Sequence, residues 1–377
     1  MSRMLATVVA ALSFHVAFAN VAQWDPRMAT ENAVVDTNGV KWIDGRFMPI
    51  EGRAFDNVDH YYDRLPSTVT TNVNGGVRSM KHHTSGLQFR FSTDSKKLRL
   101  RWKPYSPSVF VGDNLNGIAA SGFDIYHRKP GNEWRYLSSA RISDTNGSMK
   151  VYSWIPGEEC LINFPLYNGV REVAVGIDAK ASVKPLSPRA SGVTKPVVFY
   201  GTSITHGGCA SRPGLAFVNI VGRDLDVPVV NLGFSGCGIM EFEMSEHLAK
   251  IDASCYVLDC LWNMYMSGES SHRERNVDSN YEPFIRNLRA KRPDVPIVMA
   301  EQCDVFCGSP NAKDRYIRKL YEKLVAEGWK NLVYLPKTNM YSGDGEGTVD
   351  DCHPNDLGME TMAKAFGAAV REALKLD

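Results

Sequence analysis

A serine, a histidine and an aspartate occur in settings that would let them act together. Ser203 lies in "VVFYGTSITHGG" (Val197 to Gly208), where four consecutive β-formers run into Gly-Thr-Ser, and Asp350 and His353 lie in "TVDDCHPNDLGM" near the C-terminus. A serine hydroxyl is a poor nucleophile at neutral pH, so it needs a neutral imidazole to take its proton and an acceptor that fixes the imidazole tautomer. Asp-x-x-His spacing lets a tight loop turn the carboxylate back onto the ring nitrogen not used in proton transfer. The chemistry would be acyl transfer through an ester on Ser203. "NLGFSGCG" (Asn231 to Gly238) would expose backbone N–H groups, that of Gly236 among them, and "LWNM" offers the Asn263 amide. Such donors, aimed where negative charge develops, are the ingredients of an oxyanion hole. Each piece alone has a plainer reading. A serine between strand and helix is more often a turn or cap residue, and Asn355 or Asp356 would cap a terminal helix whatever His353 does. Asp351 competes with Asp350 as the acid. His206 is a rival base, although one supplied so locally would struggle to reach the hydroxyl in line. His82 and His83 are expected to face solvent.

Positioning these residues requires strand ends that meet. After Gly192 the chain alternates apolar strands, "PVVFY", "VPVVNLGF", "CYVLDCLW", "VPIVMAE" and "NLVYLP", with helical stretches near Pro213 to Leu225, Ile239 to Lys250, Asp278 to Arg292, Ala312 to Gly328 and Asp356 to Leu374. That rhythm predicts right-handed crossovers and a parallel sheet covered on both faces, with ligands outside the carboxyl ends of its strands. Ser203, Gly236 and Asn263 all fall at such ends. From Gln23 to about Lys184 the period is two instead: "LQFRF", "LRLRW", "EWRYL", "MKVYSWI" and "EVAVGI" are bounded by Gly, Asn, Pro or Asp, an antiparallel β-sandwich signature. "KPLSPRASG", Lys184 to Gly192, reads as the linker, giving domains of 20–184 and 193–377.

At 377 residues two domains are the prior, and 43 basic against 42 acidic residues give no support to a nucleic-acid or membrane-surface partner. Arg3, the apolar run Met4 to Phe18 and small residues ending at Ala19 read as a signal peptide, 1–19, cut before Asn20. Its expected consequence is a secreted or periplasmic protein with no membrane insertion of the mature chain. Of eight cysteines none precedes Cys160; Cys303 and Cys307 could pair across a short loop, and no CxxC pair or spaced Cys/His set suggests zinc.

"GTSIT", "NLGFSGCG", "LWNM" and "DDCHP" resemble, in order, the four blocks of the SGNH (GDSL-type) hydrolases. "GFDIY", Gly122 to Tyr126, resembles the GxDLY motif of a bacterial two-domain branch, with Ile125 in place of Leu. The resemblance implies a three-layer α/β/α, flavodoxin-like domain preceded by an all-β, jelly-roll-like sandwich. It implies Ser203 as nucleophile, His353 as base and then acid, and Asp350, whose spacing fits better than that of Asp351, as the orienting acid. The oxyanion hole would be the Ser203 and Gly236 N–H groups and the Asn263 amide, with no metal or organic cofactor. Two departures, Thr202 for the Asp of GDS and Trp262 in the third block, mark those residues as candidates for substrate binding. The implied activity is an exported serine esterase removing O-acyl, above all O-acetyl, groups from plant polysaccharide, its partner an acylated carbohydrate. Trp102, Trp134 and Trp154 could stack on sugars or pack the sandwich. The alternatives are a short-chain esterase or thioesterase not directed at sugars, or a non-catalytic carbohydrate-binding protein.

Overall fold

The computed structural model describes residues 32–107, 114–140, 147–151 and 154–376; the expected signal peptide, 1–19, lies outside the described residues. The N-terminal half carries β1 (Ala33–Val35), β2 (Val40–Asp44), β3 (Ile50–Glu51), β4 (Gln88–Thr93), β5 (Leu98–Pro104), β6 (Phe123–Arg128), β7 (Arg135–Ala140), β8 (Gly147–Val151), β9 (Glu159–Asn163), β10 (Val170–Asp178) and β11 (Val183–Pro185). Two short helices, α1 (Gly75–Met80) and α2 (Gly117–Ser121), interrupt them. One antiparallel sheet runs β1-β2-β10-β5-β8 and the other β11-β4-β9-β6-β7, with β3 also on β4. Without β1, β3 and β11, the remaining strands lie in the orders first-eighth-third-sixth and second-seventh-fourth-fifth, the double Greek key of a jelly roll. Alternation does the packing: Leu98, Leu100 and Trp102 of β5 turn into a core with Phe89, Phe91, Phe123 and Ile125, while Arg101 and Lys103 are exposed.

The C-terminal half carries β12 (Val197–Gly201), β13 (Val229–Gly233), β14 (Cys255–Asp259), β15 (Ile297–Ala300) and β16 (Leu332–Leu335), parallel in the order β13-β12-β14-β15-β16. Its helices are α3 (Ser203–His206), α4 (Phe217–Asp224), α5 (Phe242–Leu248), α6 (Val277–Lys291), α7 (Ala312–Ala326) and α8 (Asp356–Leu374). One apolar layer joins Met244, Phe284 and Ile317 to one face of the sheet, and a second joins Phe217, Phe366 and Val370 to the other. This is the three-layer α/β/α arrangement. The order places the topological switch point at the carboxyl end of β12, where β13 and β14 diverge to either side, and open α/β sheets bind ligands there. The helix expected over 213–225 divides into a 3-10 turn (Pro213–Leu215) and α4, because Ala216 adopts φ −59°, ψ 132°.

The halves are not independently packed. Phe55, Leu65, Val69 and Val77 join one apolar layer of the parallel sheet, and Leu115, Ala119, Ala120 and Leu166 join the other. The stretch read as a linker is likewise tied down, since Arg189 pairs with Glu51 on one side and lies 3.0 Å from Asp226 on the other.

Candidate active site

Ser203 is the first residue of α3, immediately beyond β12. Thr202 caps that turn, its hydroxyl oxygen accepting the Ile204 N–H at 3.2 Å. The first N–H groups of a helix have no intrahelical acceptor, so the Ser203 N–H is available to a ligand. The turn is closed at once by Gly207, whose φ of 103° lies in the left-handed region that glycine tolerates. The Ser203 carbonyl accepts from the N–H groups of Gly207 (3.1 Å) and Gly208 (2.8 Å) and from the Tyr167 hydroxyl (3.0 Å). Its backbone is thereby immobilised while its side chain, in a residue only 8% exposed, faces His353.

Ser203 Oγ lies 2.9 Å from His353 Nε2. His353 Nδ1 lies 2.9 Å from Asp350 Oδ2 and 3.2 Å from Oδ1. A neutral imidazole donating from Nδ1 to the carboxylate presents Nε2 as the acceptor for the serine proton. The loop is held by two hydrogen bonds to the His353 carbonyl, from the Val349 N–H and the Thr348 hydroxyl, both at 2.9 Å. Burial of Asp350 favours its neutral form, but the His353 N–H, the Asn114 amide and the imidazole outweigh it and hold the carboxyl down to about 2. The acid facing His353 is therefore Asp350, whereas Asp351, at φ 59°, is exposed on the turn. Cys209 adjoins this group. Its thiol is pushed up to about 12 by burial and by the Asp350 carboxylate. Among the described residues, Cys209, Asp350 and His353 bring donor atoms within 4.8 Å of one another, close enough to hold a metal ion.

The second and third strand ends carry the Gly236 turn and the Asn263 amide. The Phe234 carbonyl takes the N–H groups of Cys237 (2.9 Å) and Gly238 (3.1 Å), forming a tight turn in which Gly236 has φ 67°. Asn263, on a 3-10 turn (Leu261–Asn263), donates one amide hydrogen to the Gly238 carbonyl at 3.2 Å. An amide carries two hydrogens, so the second remains for a ligand. Lys313 of α7 braces the same turn, its ammonium reaching the carbonyls of Leu261 (2.6 Å) and Met264 (2.9 Å).

Several residues take places other than those expected. Thr202 is wholly buried and its hydroxyl oxygen accepts the Ile204 N–H of the cap. Trp262 is half-buried, its indole N–H donating to the Cys303 carbonyl, and it anchors the 303–307 loop. His206 packs among Tyr167, His83 and Arg64: it is buried, its ring centroid 4.1 Å from that of Tyr167, and burial with the nearby Arg64 keeps it neutral. His82 and His83 do not face solvent. His82 pairs with Asp63 at 2.9 Å, and His83 contacts His206 at 3.3 Å, held to about 3 by burial and by Arg64. Cys303 and Cys307 are both free, the first buried and the second exposed. Trp102 and Trp154 are core residues of the sandwich, and Arg128 lies 4.4 Å over the Trp134 ring.

The "GFDIY" motif proves to be an attachment point. Buried Asp124 accepts from Arg212 (2.9 Å), from the Gly214 N–H (2.8 Å) and from Asn163 (2.7 Å), and the Tyr126 hydroxyl also meets Arg212. Gly214 cannot be replaced freely, because a Cβ there would lie 2.4 Å from the Tyr126 ring. The sandwich thus grips the loop that leads out of the Ser203 turn. Asn114, which sequence reasoning did not single out, reaches Asp350 across the same junction at 2.8 Å. No local motif around Asn114 signals that contact.

Residues 194–371 match the model of the GDSL-like lipase/acylhydrolase family, and residues 40–183 match that of the N-terminus of SGNH-hydrolase-type esterases. The chain belongs to the SGNH (GDSL-type) hydrolases, in the branch that carries the GxDLY sandwich. It is similar to a GDSL-like lipase from Bacteroides ovatus, at 28% identity over 90% of this chain and 99% of that one, with a TM-score of 0.77. It shares its fold with a salicylyl-acyltransferase from a tetracycline biosynthetic pathway (18% identity, 90% and 96% covered, TM-score 0.67). It also shares it with a family two carbohydrate esterase from Cellvibrio japonicus (12% identity, 89% and 98% covered, TM-score 0.56). No curated protein matches the sequence at a significant level.

Proposed function

We propose that this SGNH hydrolase is an exported serine esterase that removes O-acyl groups, above all O-acetyl, from plant polysaccharides or their oligosaccharides. The observation that carries the esterase chemistry is the unbroken path from Ser203 Oγ through His353 to Asp350, with both links at 2.9 Å, at the switch point of the sheet. His353 takes the hydroxyl proton as Ser203 attacks the ester carbonyl. The carbonyl oxygen, now negative, is met by the Ser203 and Gly236 N–H groups and the free Asn263 amide hydrogen. The ester C–O bond then breaks, His353 returns its proton to the departing sugar oxygen, and the acyl group stays on Ser203. Water, deprotonated by His353, repeats the attack and releases the carboxylic acid and the free serine. Ser203 and one water supply the two attacking oxygens, and His353 carries the proton between them and the leaving groups.

Exposed aromatic side chains of the α/β half support the sugar assignment. The Cys303–Gly308 loop, tied to Trp262, is also bonded through the Val305 carbonyl to Ser342 (2.8 Å), on the segment leading to Asp350. It exposes Phe306 (50%), and the segment bonded to it exposes Tyr341 (43%), aromatic faces of the type that stack on sugar rings. That solved proteins of this fold include carbohydrate esterases points the same way, as does the leader-like first 19 residues for export.

The test is acetate release from acetylated xylan, mannan and pectin oligosaccharides, with wild type and Ser203→Ala, alongside a chromogenic acetate ester. Release from one polysaccharide class that is lost in the variant supports the reading. Hydrolysis of the chromogenic ester alone removes the sugar assignment. Release that survives Ser203→Ala removes the mechanism.

A further inference from the structure

Asp350 is the more exposed partner of the His353–Asp350 pair, its side chain 36% accessible against 23% for His353. Its Oδ1 accepts the backbone N–H groups of His353 (2.7 Å) and Cys352 (3.3 Å), and its Oδ2 accepts the imidazole (2.9 Å) and the Asn114 amide (2.8 Å). The first three donors belong to residues within three positions of Asp350 and move with its own loop. Asn114 stands 236 residues away in sequence, on the sandwich half.

Asn114 is itself firmly placed. Leu115 is buried in the apolar layer that joins α2, α4 and α8. Asn116 caps α2 through the N–H groups of Ile118 (2.9 Å) and Ala119 (3.0 Å) and donates to the Ser211 carbonyl at 2.7 Å. The Ser211 N–H in turn meets Asp356 at 2.8 Å, three residues beyond His353. The 114–116 segment is thus bonded to the loop leaving the Ser203 turn and, through it, to the start of α8.

We propose that Asn114 is a positioning residue for Asp350, so that the sandwich completes the catalytic apparatus of the α/β half. The proposal rests on reading Ser203, His353 and Asp350 as a hydrolytic triad. A carboxylate with two donors on each oxygen cannot turn about its Cβ–Cγ bond without losing several hydrogen bonds at once. Without Asn114, Oδ2 keeps the imidazole alone, on an exposed loop. The other groups facing Asp350 include the Cys209 and Cys352 thiols, which burial and the carboxylate keep protonated; an S–H is a weak donor beside an amide N–H.

The test is a double-mutant cycle on the full chain with p-nitrophenyl acetate: wild type, Asn114→Ala, Asp350→Ala and the double variant. A hydrogen bond to a charged group is worth enough that Asn114→Ala should lower kcat about tenfold at unchanged KM. In the Asp350→Ala background it should cost nothing further, because a residue that acts through Asp350 has nothing left to orient. An equal loss in both backgrounds, as a merely structural role would produce, overturns the proposal, and so does full activity of Asn114→Ala. The rate at which a fluorophosphonate labels Ser203 is read in parallel, since it needs an activated serine but no particular ester. Slowed labelling of Asn114→Ala with no ester hydrolysed by any form would sustain the proposal while rejecting the esterase reading. Equal labelling of wild type and Asn114→Ala overturns it, and a wild type that is not labelled removes the triad and the proposal together.

Discussion

Arg212, in the loop that leaves the Ser203 turn, lies 2.9 Å from the buried carboxylate of Asp124 in the sandwich, its guanidinium 4.1 Å from the Tyr136 ring. One residue of the sandwich motif thereby fastens the loop that adjoins Ser203. Asp124→Ala would strand Arg212, the Gly214 N–H and Asn163 without their acceptor. Breaking a buried pair in this way should cost about 3–5 kcal/mol, read as a fall in the urea midpoint. A midpoint within error of wild type would mean that the clasp contributes nothing to stability.

Ser203→Ala and His353→Ala should each lower kcat by about 10⁴- to 10⁶-fold, and the double variant hardly further, because the members of such a unit act together. Thermal midpoints should stay near that of wild type, since neither side chain fills the core. Additive losses in the double variant would contradict a shared proton path.

In the proposed mechanism Asn263→Ala removes one of three oxyanion donors and leaves Ser203, His353 and Asp350 in place. Its kcat should fall about 10²- to 10³-fold with little change in KM. A change confined to KM would place the Asn263 amide on the ground-state substrate instead of the developing oxyanion.

Asp259, at the end of β14, is buried and accepts the Thr205 hydroxyl of α3 at 2.6 Å. Burial raises its carboxyl to about 7, against opposing hydrogen bonds from Cys303 and Thr205. A carboxyl raised on folding keeps a proton that the unfolded chain has lost. Its stabilising contribution is therefore complete below about pH 4, the unfolded value, and disappears as pH rises through about 7. Urea midpoints of wild type should fall across that window, and the fall should be smaller in Asp259→Asn. Parallel pH profiles for the two proteins would assign the titration elsewhere.

The strands were legible because each is an uninterrupted apolar run between glycine, proline or polar punctuation, and a parallel sheet buried on both faces requires that pattern. The small-residue turns after β12 and β13 placed Ser203 and Gly236 at strand ends, and "LWNM" placed Asn263 just beyond β14. The Asp-x-x-His spacing anticipated the Asp350–His353 contact because it is formed within one tight loop. Thr202, Trp262, His82, His83 and His206 were placed less well. Nothing local reveals whether a polar side chain beside a strand end turns to the pocket or into the junction between two halves. For His83 and His206 that junction includes Arg64, whose Nη1 is committed to the Asn231 (3.1 Å) and Gly233 (2.8 Å) carbonyls.

By itself the sequence determined which side chains could do chemistry, which strand ends carry them and that a sandwich precedes a parallel α/β sheet, since these follow from residue type and period over short stretches. Only the tertiary structure decided that Asn114 and Asp124 reach across to Asp350 and Arg212, and that the apolar layers on both faces of the sheet draw residues from both halves. Those contacts join segments tens to hundreds of residues apart, and they exist only where two surfaces close on each other and bury polar groups that must then find partners.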